Sequence, residues 1–246
     1  MATSFAGSKQ RVEAAPAWLL HSYPYKETSL VIEVFERERG RVALVARGAR
    51  RPASALRGVL MAFQPLRLSW FGSGELRTLH AAEWQGGVPQ LTGLPLICGF
   101  YLNELMLKLM AREDPHPELF DVYTAAIRAL SAAQGEVEPI LRRFELAMLR
   151  QLGYGFELER DARGAAVLAD VDYVFVSGTG LLPAYAGGSH LGAPIGGRAL
   201  LAMAQNDYRE PRDAQQAKTL MRALLGELLG STPLHTRNLL RDLHKL

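Results

Sequence analysis

Short apolar runs with strand-like spacing dominate the first third of the chain. Residues 29–35 (SLVIEVF) and 41–47 (RVALVAR) are rich in β-branched side chains and flank a Glu38-Arg39-Gly40 turn. Two such runs joined by a tight turn predict a β-hairpin.

Three further runs complete the pattern. Residues 17–22 begin it, residues 66–71 (LRLSWF) alternate apolar and polar side chains, and a Gly-Ser-Gly turn leads into residues 76–82. Five short strands between residues 16 and 84 predict a small closed barrel, for which the OB-fold is the commonest five-stranded choice.

The hydrophobic period changes to that of helices beyond residue 93. Three helices are predicted over residues 94–111, 119–130 and 140–152, and Gly153 stands where a helix commonly ends. After a stretch without helical period, helical signals return in three places: residues 198–205, 214–229 and 234–243.

The order of these elements predicts an α+β protein with a barrel, an all-helical domain and a small β/loop insertion. The predicted parts are a flexible N-terminal extension (1–15), the barrel (16–84), a helical domain (85–155 with 198–246) and the β/loop module (156–197). Within that module, the glycine-rich stretch 187–197 reads as a linker, because it lacks the Gly-Lys-Ser/Thr ending of a phosphate-binding loop.

Positive charge is concentrated in the predicted barrel although the net charge of the chain is only +3. Residues 1–80 hold 12 Lys and Arg against 6 acidic residues, and residues 37–57 hold seven Arg against Glu38 alone. A near-neutral chain with one focused basic segment favours an anionic polymer as partner.

Loops of the barrel carry the candidate phosphate ligands, with Tyr23, Tyr25 and Phe35 close by as candidates for stacking on bases. The predicted DNA-binding residues are Lys26, Arg37, Arg39, Arg41, Arg47, Arg50, Arg51 and Arg57. The alternative is a solvated charged face, since the chain uses 23 Arg against 5 Lys throughout.

Catalytic and metal chemistry find little support in the sequence. The single cysteine, Cys98, excludes an internal disulfide and a multi-cysteine zinc site, and its apolar surroundings predict a buried, inert thiol. Neither a catalytic residue nor a cofactor is predicted. The remaining alternatives are a metal-dependent nuclease that uses Asp170 and Asp172, and a barrel that binds RNA or only protein.

Several segments, taken in order and spacing, resemble the RecO family of bacterial DNA repair and recombination mediators. The resemblance covers roughly residues 17–245. Its segments are Leu20–Leu30 (LHSYPYKETSL), Arg41–Arg50 (RVALVARGAR), Phe63–Leu66, Tyr101–Leu105, Leu141–Leu146 (LRRFEL), Leu152–Gly155 and Pro233–Arg237.

The resemblance implies an OB-fold followed by a helical domain, and a protein without enzymatic turnover. It implies binding of single- and double-stranded DNA, annealing of complementary strands and, with RecR, help in loading RecA onto DNA coated by single-strand-binding protein (SSB). Some relatives carry a four-cysteine zinc module, but residues 156–185 contain no Cys, so a metal-free module held by Tyr173, Phe175 and Leu181 is expected here.

The resemblance also implies a site on the helical domain for the acidic C-terminal tail of SSB. Arg142, with Arg143 beside it, is the predicted rim of that site; alternatively both face solvent, or Arg142 pairs with Glu138 or Glu145 on its own helix. The first 15 residues lack the apolar run of a signal peptide, and the apolar stretch 94–110 is interrupted by charge. A cytoplasmic, nucleoid-associated protein without membrane contact is therefore expected.

Overall fold

The computed structural model describes residues 11–133, 136–186 and 189–236. It is an α+β structure that divides into two units between Ala132 and Ala133. In the described ranges, no helix is both long and apolar enough to cross a membrane.

The first unit begins with five strands that close into a barrel. The strands follow one another around it in the order β1-β2-β3-β5-β4, with β3 and β5 parallel and every other pair, including β1 with β4, antiparallel. They are β1 (Arg11–Tyr25), β2 (Ser29–Glu36), β3 (Gly40–Ala46), β4 (Pro65–Phe71) and β5 (Leu76–Trp84), with a short helix α1 (Leu56–Val59) between β3 and β4.

Alternation along the strands builds the interior of the barrel. Ile32 and Val34 of β2, Leu44 of β3, and Leu68 and Trp70 of β4 are all fully buried in one apolar cluster. The intervening residues point outward, as expected for side chains of period two.

The predicted flexible extension over residues 1–15 is corrected for its last five residues, which form the start of β1 and pair with β4. The register shifts between Val12 and Ala15, and Ala14 has a positive φ of 47°. This irregularity breaks the alternating pattern, so the sequence does not show the strand. Residues 1–10 lie outside the described residues.

Two helices, α2 (Gly93–Leu109) and α3 (Pro117–Ala132), belong to the same unit as the barrel. This differs from the predicted grouping of all helices in one domain. The reason is the outward face of β2, where Phe35 needs apolar cover and packs against Phe120 and Tyr123 with ring centroids 5.4 and 6.2 Å apart.

Buried polar contacts fix these helices on the barrel. Trp18 donates from its indole nitrogen to Thr124 Oγ1 at 2.9 Å, and Asn103 donates to the Leu20 carbonyl at 2.9 Å. Tyr123 donates to Asn103 Oδ1 at 2.6 Å, and full burial raises the pKa of this phenol. Buried donors with partners specify one docking geometry.

The connection between α2 and α3 lies very close to the backbone of the barrel at Gly40. A Cβ on Gly40 would lie 1.9 Å from the carbonyl oxygen of Asp114, and Gly40 has a φ of +68°. Next to it, the buried carboxylate of Glu33 faces both Arg41 and Arg112. Glycine is therefore required here for space as well as for backbone conformation.

Among its described residues, the second unit contains three α-helices and a small antiparallel sheet of order β7-β6-β8. Its elements are α4 (Glu138–Gln151), β6 (Asp172–Val176), β7 (Gly180–Pro183), β8 (Leu191–Gly196), α5 (Gly197–Ala204) and α6 (Pro211–Leu229). Part of the last predicted helix, residues 237–243, lies outside the described residues.

The predicted β/loop module corresponds to this sheet, and Tyr173, Phe175 and Leu181 are buried in it as expected. The linker prediction for residues 187–197 is wrong, because β8 lies within that stretch and pairs with β6. Buried Ile195 faces Tyr173 across the pair, so apolar contact and strand pairing outweigh the glycine content. Gly187 and Gly188 lie outside the described residues.

We expect Gly40→Ala to lower the free energy of unfolding by ~3 kcal/mol or more, since left-handed backbone costs a Cβ-bearing residue ~1–2 kcal/mol and the Asp114 carbonyl must also move. Gly74→Ala is the matched control, because Gly74 also has positive φ but open space around its Cβ position. Thermal unfolding of the full chain measures both variants. Equal losses would show that the close approach to Asp114 is unimportant.

Candidate nucleic-acid interface

The eight predicted DNA-binding residues lie at two opposite ends of the β2–β3 hairpin. Glu36 pairs with Gly40 at one end of the ladder and Leu30 with Ala46 at the other. At ~3.3 Å per residue the ends are roughly 20 Å apart. We name the residues at the first end the turn end (Arg37, Arg39, Arg41) and those at the second the loop end (Lys26, Arg47, Arg50, Arg51, Arg57).

Carboxylates of the protein already engage the turn end. Arg37 pairs with Asp121 at 2.7 Å and with Glu38 at 2.8 Å. The hydrogen bond from Arg37 holds the pKa of Asp121 below its usual value. Arg39 lies 3.4 Å from the buried Glu36 carboxylate and 5.9 Å from the ring centroid of Trp70, a cation–π distance.

Arg41 is half-buried, and its side chain contacts groups of the protein itself. Its guanidinium donates to the Leu107 carbonyl and lies 3.8 Å from the Glu33 carboxylate. Burial lowers the pKa of Arg41, although the Glu33 charge acts in the opposite direction. The predicted DNA-binding residues therefore do not form a single cluster, and the turn-end arginines pair with acids of the protein, of which Glu33 and Glu36 are buried.

The loop end has the opposite character. All five of its side chains are exposed, and in the part of the chain that the structure describes none of them forms an ion pair with a carboxylate. Arg50 makes only a long hydrogen bond of 3.4 Å to the Lys26 carbonyl, and the Lys26 ammonium lies 5.4 Å from the Tyr25 ring centroid. These charges are available to an external anion.

Backbone contacts hold the loop that carries them. Arg50 donates its backbone N–H to the Thr28 carbonyl at 2.8 Å, and Gly48 donates to Ser29 Oγ at 3.4 Å. Gly48 has a φ of +69°, which lets the chain turn directly after β3. The loop after β3 is thereby attached to the β1–β2 turn, and Lys26 and Arg50 are brought together.

The three aromatic residues predicted to stack on bases also differ in their exposure to solvent. Tyr23 is exposed and lies beside His21, with ring centroids 4.4 Å apart. Tyr25 is half-buried next to Lys26. The prediction that Phe35 stacks on bases is wrong, because its side chain is completely buried against α3.

The predicted partner-binding pair lies on α4 and is divided between interior and surface. Arg142 is buried and pairs with the buried Glu145 at 3.0 Å, three residues along the helix. Arg143 is exposed. The prediction that Arg142 lies at the rim of a groove is therefore wrong. The alternative, that Arg142 pairs with Glu145 on its own helix, is confirmed. Glu138 instead pairs with Lys218 of α6 at 2.6 Å.

Tyr208 adds to the surroundings of that buried pair. Burial raises the pKa of its phenol to about 12, with Arg142, Arg143 and Glu145 as the charges that act on it. Neither Tyr208 Oη nor Arg142 Nε has a hydrogen-bond partner among the residues described.

The acidic residues of the nuclease alternative do not form a cluster. Asp170 and Asp172 are both exposed at the start of β6. Across the described ranges, no group of three or more His, Cys, Asp or Glu side chains is placed to hold a metal ion. Cys98 is buried in α2, as predicted.

Sequence reasoning missed two ion pairs between residues that are far apart in the chain. Asp121 is 84 residues from Arg37, and Arg112 is 79 residues from Glu33. No local pattern links residues so far apart, and the only signal was the placement of these acids and bases among apolar positions.

The chain is similar to known proteins over nearly its whole length. Residues 12–87 match the family model described as Recombination protein O N terminal, and residues 91–238 match the model described as Recombination protein O C terminal. The chain is 50% identical over 240 residues to a DNA repair protein RecO of Aromatoleum aromaticum, covering 97% of this chain and 99% of the relative. It is 52% identical over 242 residues to a DNA repair protein RecO of Chromobacterium violaceum, covering 96% and 97%.

We expect Arg142→Ala to lower the free energy of unfolding by roughly 3 kcal/mol, because it removes the cation that faces a buried carboxylate. Arg143→Ala should change it by less than ~0.5 kcal/mol, as is usual at exposed positions. Denaturant unfolding followed by circular dichroism compares the two. A destabilised Arg143→Ala together with an unaffected Arg142→Ala would contradict the assignment of the buried pair.

Proposed function

The chain belongs to the RecO family of DNA repair and recombination proteins, and from this we propose that it is a non-enzymatic mediator of homologous recombination. In this role it binds single- and double-stranded DNA and anneals complementary strands. Together with RecR it helps to load RecA onto DNA coated by SSB. It acts in the cytoplasm at the nucleoid.

The observation that carries the proposal is the loop end. Five exposed cations without carboxylate partners in the described ranges lie at one end of the barrel, where hydrogen bonds from Arg50 and Gly48 attach the loop after β3 to Thr28 and Ser29. Guanidinium and ammonium groups held in this way contact phosphates without reading sequence. We assign the phosphate-binding role to the loop end and a structural role to the turn end.

Annealing suits such a surface. Two strands pair only if their base edges remain accessible while their backbones are held close together. Phosphate contacts satisfy this condition, because they neutralise the repulsion between strands and leave the pairing edges exposed. No catalytic group is needed for this step.

The barrel supports the same role. Its strand order β1-β2-β3-β5-β4, with β1 closing onto β4, fits an OB-fold, a scaffold that often binds oligonucleotides through the loop between its first two strands. Lys26 lies in that loop. If the protein acted on RNA instead, RNA would displace single-stranded DNA in a competition experiment, and a nuclease would cleave labelled DNA in magnesium.

We expect the affinity for single-stranded DNA to fall with salt with a log–log slope of ~3.5, from five contacts at ~0.7 each. The double variant Arg47→Gln/Arg51→Gln should reduce the slope by ~1.4 and weaken binding roughly tenfold or more at 0.1 M salt. Fluorescence anisotropy over a range of salt concentrations measures both.

The matched control is Arg37→Gln/Arg39→Gln, which removes the same number of charges from the turn end. It should leave the slope unchanged, because both arginines already pair with carboxylates. If the turn-end variant flattened the slope and the loop-end variant did not, the assignment of the two ends would be reversed.

The C-terminal tail of SSB is proposed to bind the second unit at α4, where Arg143 provides an exposed cation for an acidic ligand with a free carboxylate. We expect Arg143→Ala to weaken binding of an SSB tail peptide roughly tenfold, the loss of one hydrogen bond to a charged group. Arg150→Ala, an exposed arginine in the last turn of the same helix, is the control. Calorimetry with equal affinities for both variants would exclude Arg143 as a ligand.

A further inference from the structure

A cleft of about 400 Å³ lies among the residues of the loop end. Its lining consists of Leu30, Ala49, Leu56 and Leu60 together with Arg50 and Arg57. This volume is at the lower end of the range of roughly 300–1,000 Å³ that is usual for small-ligand sites. Binding of phosphates requires the two arginines but does not require the apolar lining between them.

The apolar lining is an extension of the barrel core. Leu30 begins the buried face of β2, and Leu56 and Leu60, from α1 and the residue that follows it, pack as half-buried side chains against the core cluster. Ala49 is buried beside them. The helix α1 thus leaves part of the core accessible at the end of the barrel where the unpaired cations lie.

We propose that this cleft binds one unstacked nucleobase of single-stranded DNA, with Arg50 and Arg57 beside it. The inference rests on the proposed DNA-binding function and adds to it a specific site for the base. When a flat aromatic base enters such a site, its apolar faces are removed from water. Arginine side chains also stack well on bases. Lys26, Arg47 and Arg51 hold the flanking phosphates.

The charges around the cleft favour a nucleotide over a peptide as the occupant. Every repeat of a DNA strand carries one phosphate and one planar base with apolar faces, which matches cations arranged around an apolar cleft. An acidic peptide carries its charges and its apolar side chains on different residues, so that binding of a peptide would leave part of this arrangement unused.

Such a site distinguishes single strands from duplexes. The bases of a duplex are stacked and paired, and one of them enters the cleft only at the cost of leaving the helix. The cleft therefore adds affinity for single strands, while the surrounding cations act on both forms of DNA.

The test fills the cleft without changing the charge. Leu60→Phe should weaken binding of a short oligothymidine roughly five- to tenfold, the loss expected for one base contact. Binding of a duplex of the same length should stay within twofold. Leu94→Phe, at an exposed position in the first turn of α2, is the matched control and should change neither. Thermal unfolding verifies that both variants are folded.

A second measurement changes the DNA instead of the protein. An oligonucleotide of abasic deoxyribose units has the phosphates of oligothymidine but no bases, so the wild-type chain should bind it more weakly, and Leu60→Phe should bind it as tightly as the wild type does. Equal weakening of oligothymidine, abasic and duplex binding by Leu60→Phe, or no weakening of any, overturns the proposal. The proposal is also overturned if Leu60→Phe loses binding of an SSB tail peptide while its DNA binding stays intact.

The outcomes also separate this inference from the proposed function. If Arg47→Gln/Arg51→Gln lowers DNA binding but Leu60→Phe has no effect, the cations bind DNA and the cleft does not hold a base. If neither variant affects DNA binding, the loop end is not the DNA site and both proposals fail.

Discussion

The outer face of β2 and β3 is covered by the segment that leads from α2 into α3, and this docking determines which charges of the barrel remain in solvent. Gly40 allows the backbone of Asp114 to approach more closely than any Cβ permits. Beside it, Arg41 and Arg112 face the buried carboxylate of Glu33. Burying a carboxylate without a cation costs free energy, so Arg41 and Arg112 stabilise the fold by facing Glu33. The three turn-end arginines thus have carboxylates of the protein as partners, which supports the structural role proposed for them.

The opposite end of the hairpin is covered only in part, by the short helix α1, and in the residues described its cations have no carboxylate partner. A phosphate that contacts Arg47 or Arg51 does not have to displace a carboxylate from either side chain. The same end exposes part of the barrel core at Leu56 and Leu60. Charge and apolar surface at one place suit a polymer that carries both phosphates and rings. Such contacts form and break without a chemical reaction, which suits the annealing role proposed above.

The second unit follows the same physical rule on a smaller scale. Adjacent arginines on α4 have different fates because the helix turns one into the core, where Arg142 meets Glu145, and leaves Arg143 outside. The small sheet is held by apolar burial, with Tyr173 and Leu181 inside and the Tyr173 hydroxyl accepting a hydrogen bond from the Leu168 backbone. Its third strand is formed by a glycine-rich segment, because strand pairing depends on the backbone as well as on side-chain propensity.

Local pattern was sufficient to predict the strands between residues 17 and 84, the helices between residues 93 and 229 and the concentration of arginine, since alternation, helical period and charge are all properties of neighbouring residues. It did not reveal the strand at residues 11–15, where Ala14 interrupts the alternation. The grouping of α2 and α3 with the barrel, the burial of Phe35 and Arg142, and the division of eight cations into a paired and an unpaired set were decided by tertiary structure alone. Each depends on a partner distant in the sequence, such as Asp121 for Arg37, and the energy of an ion pair or an apolar contact depends on which groups the fold brings together and how far it removes them from water.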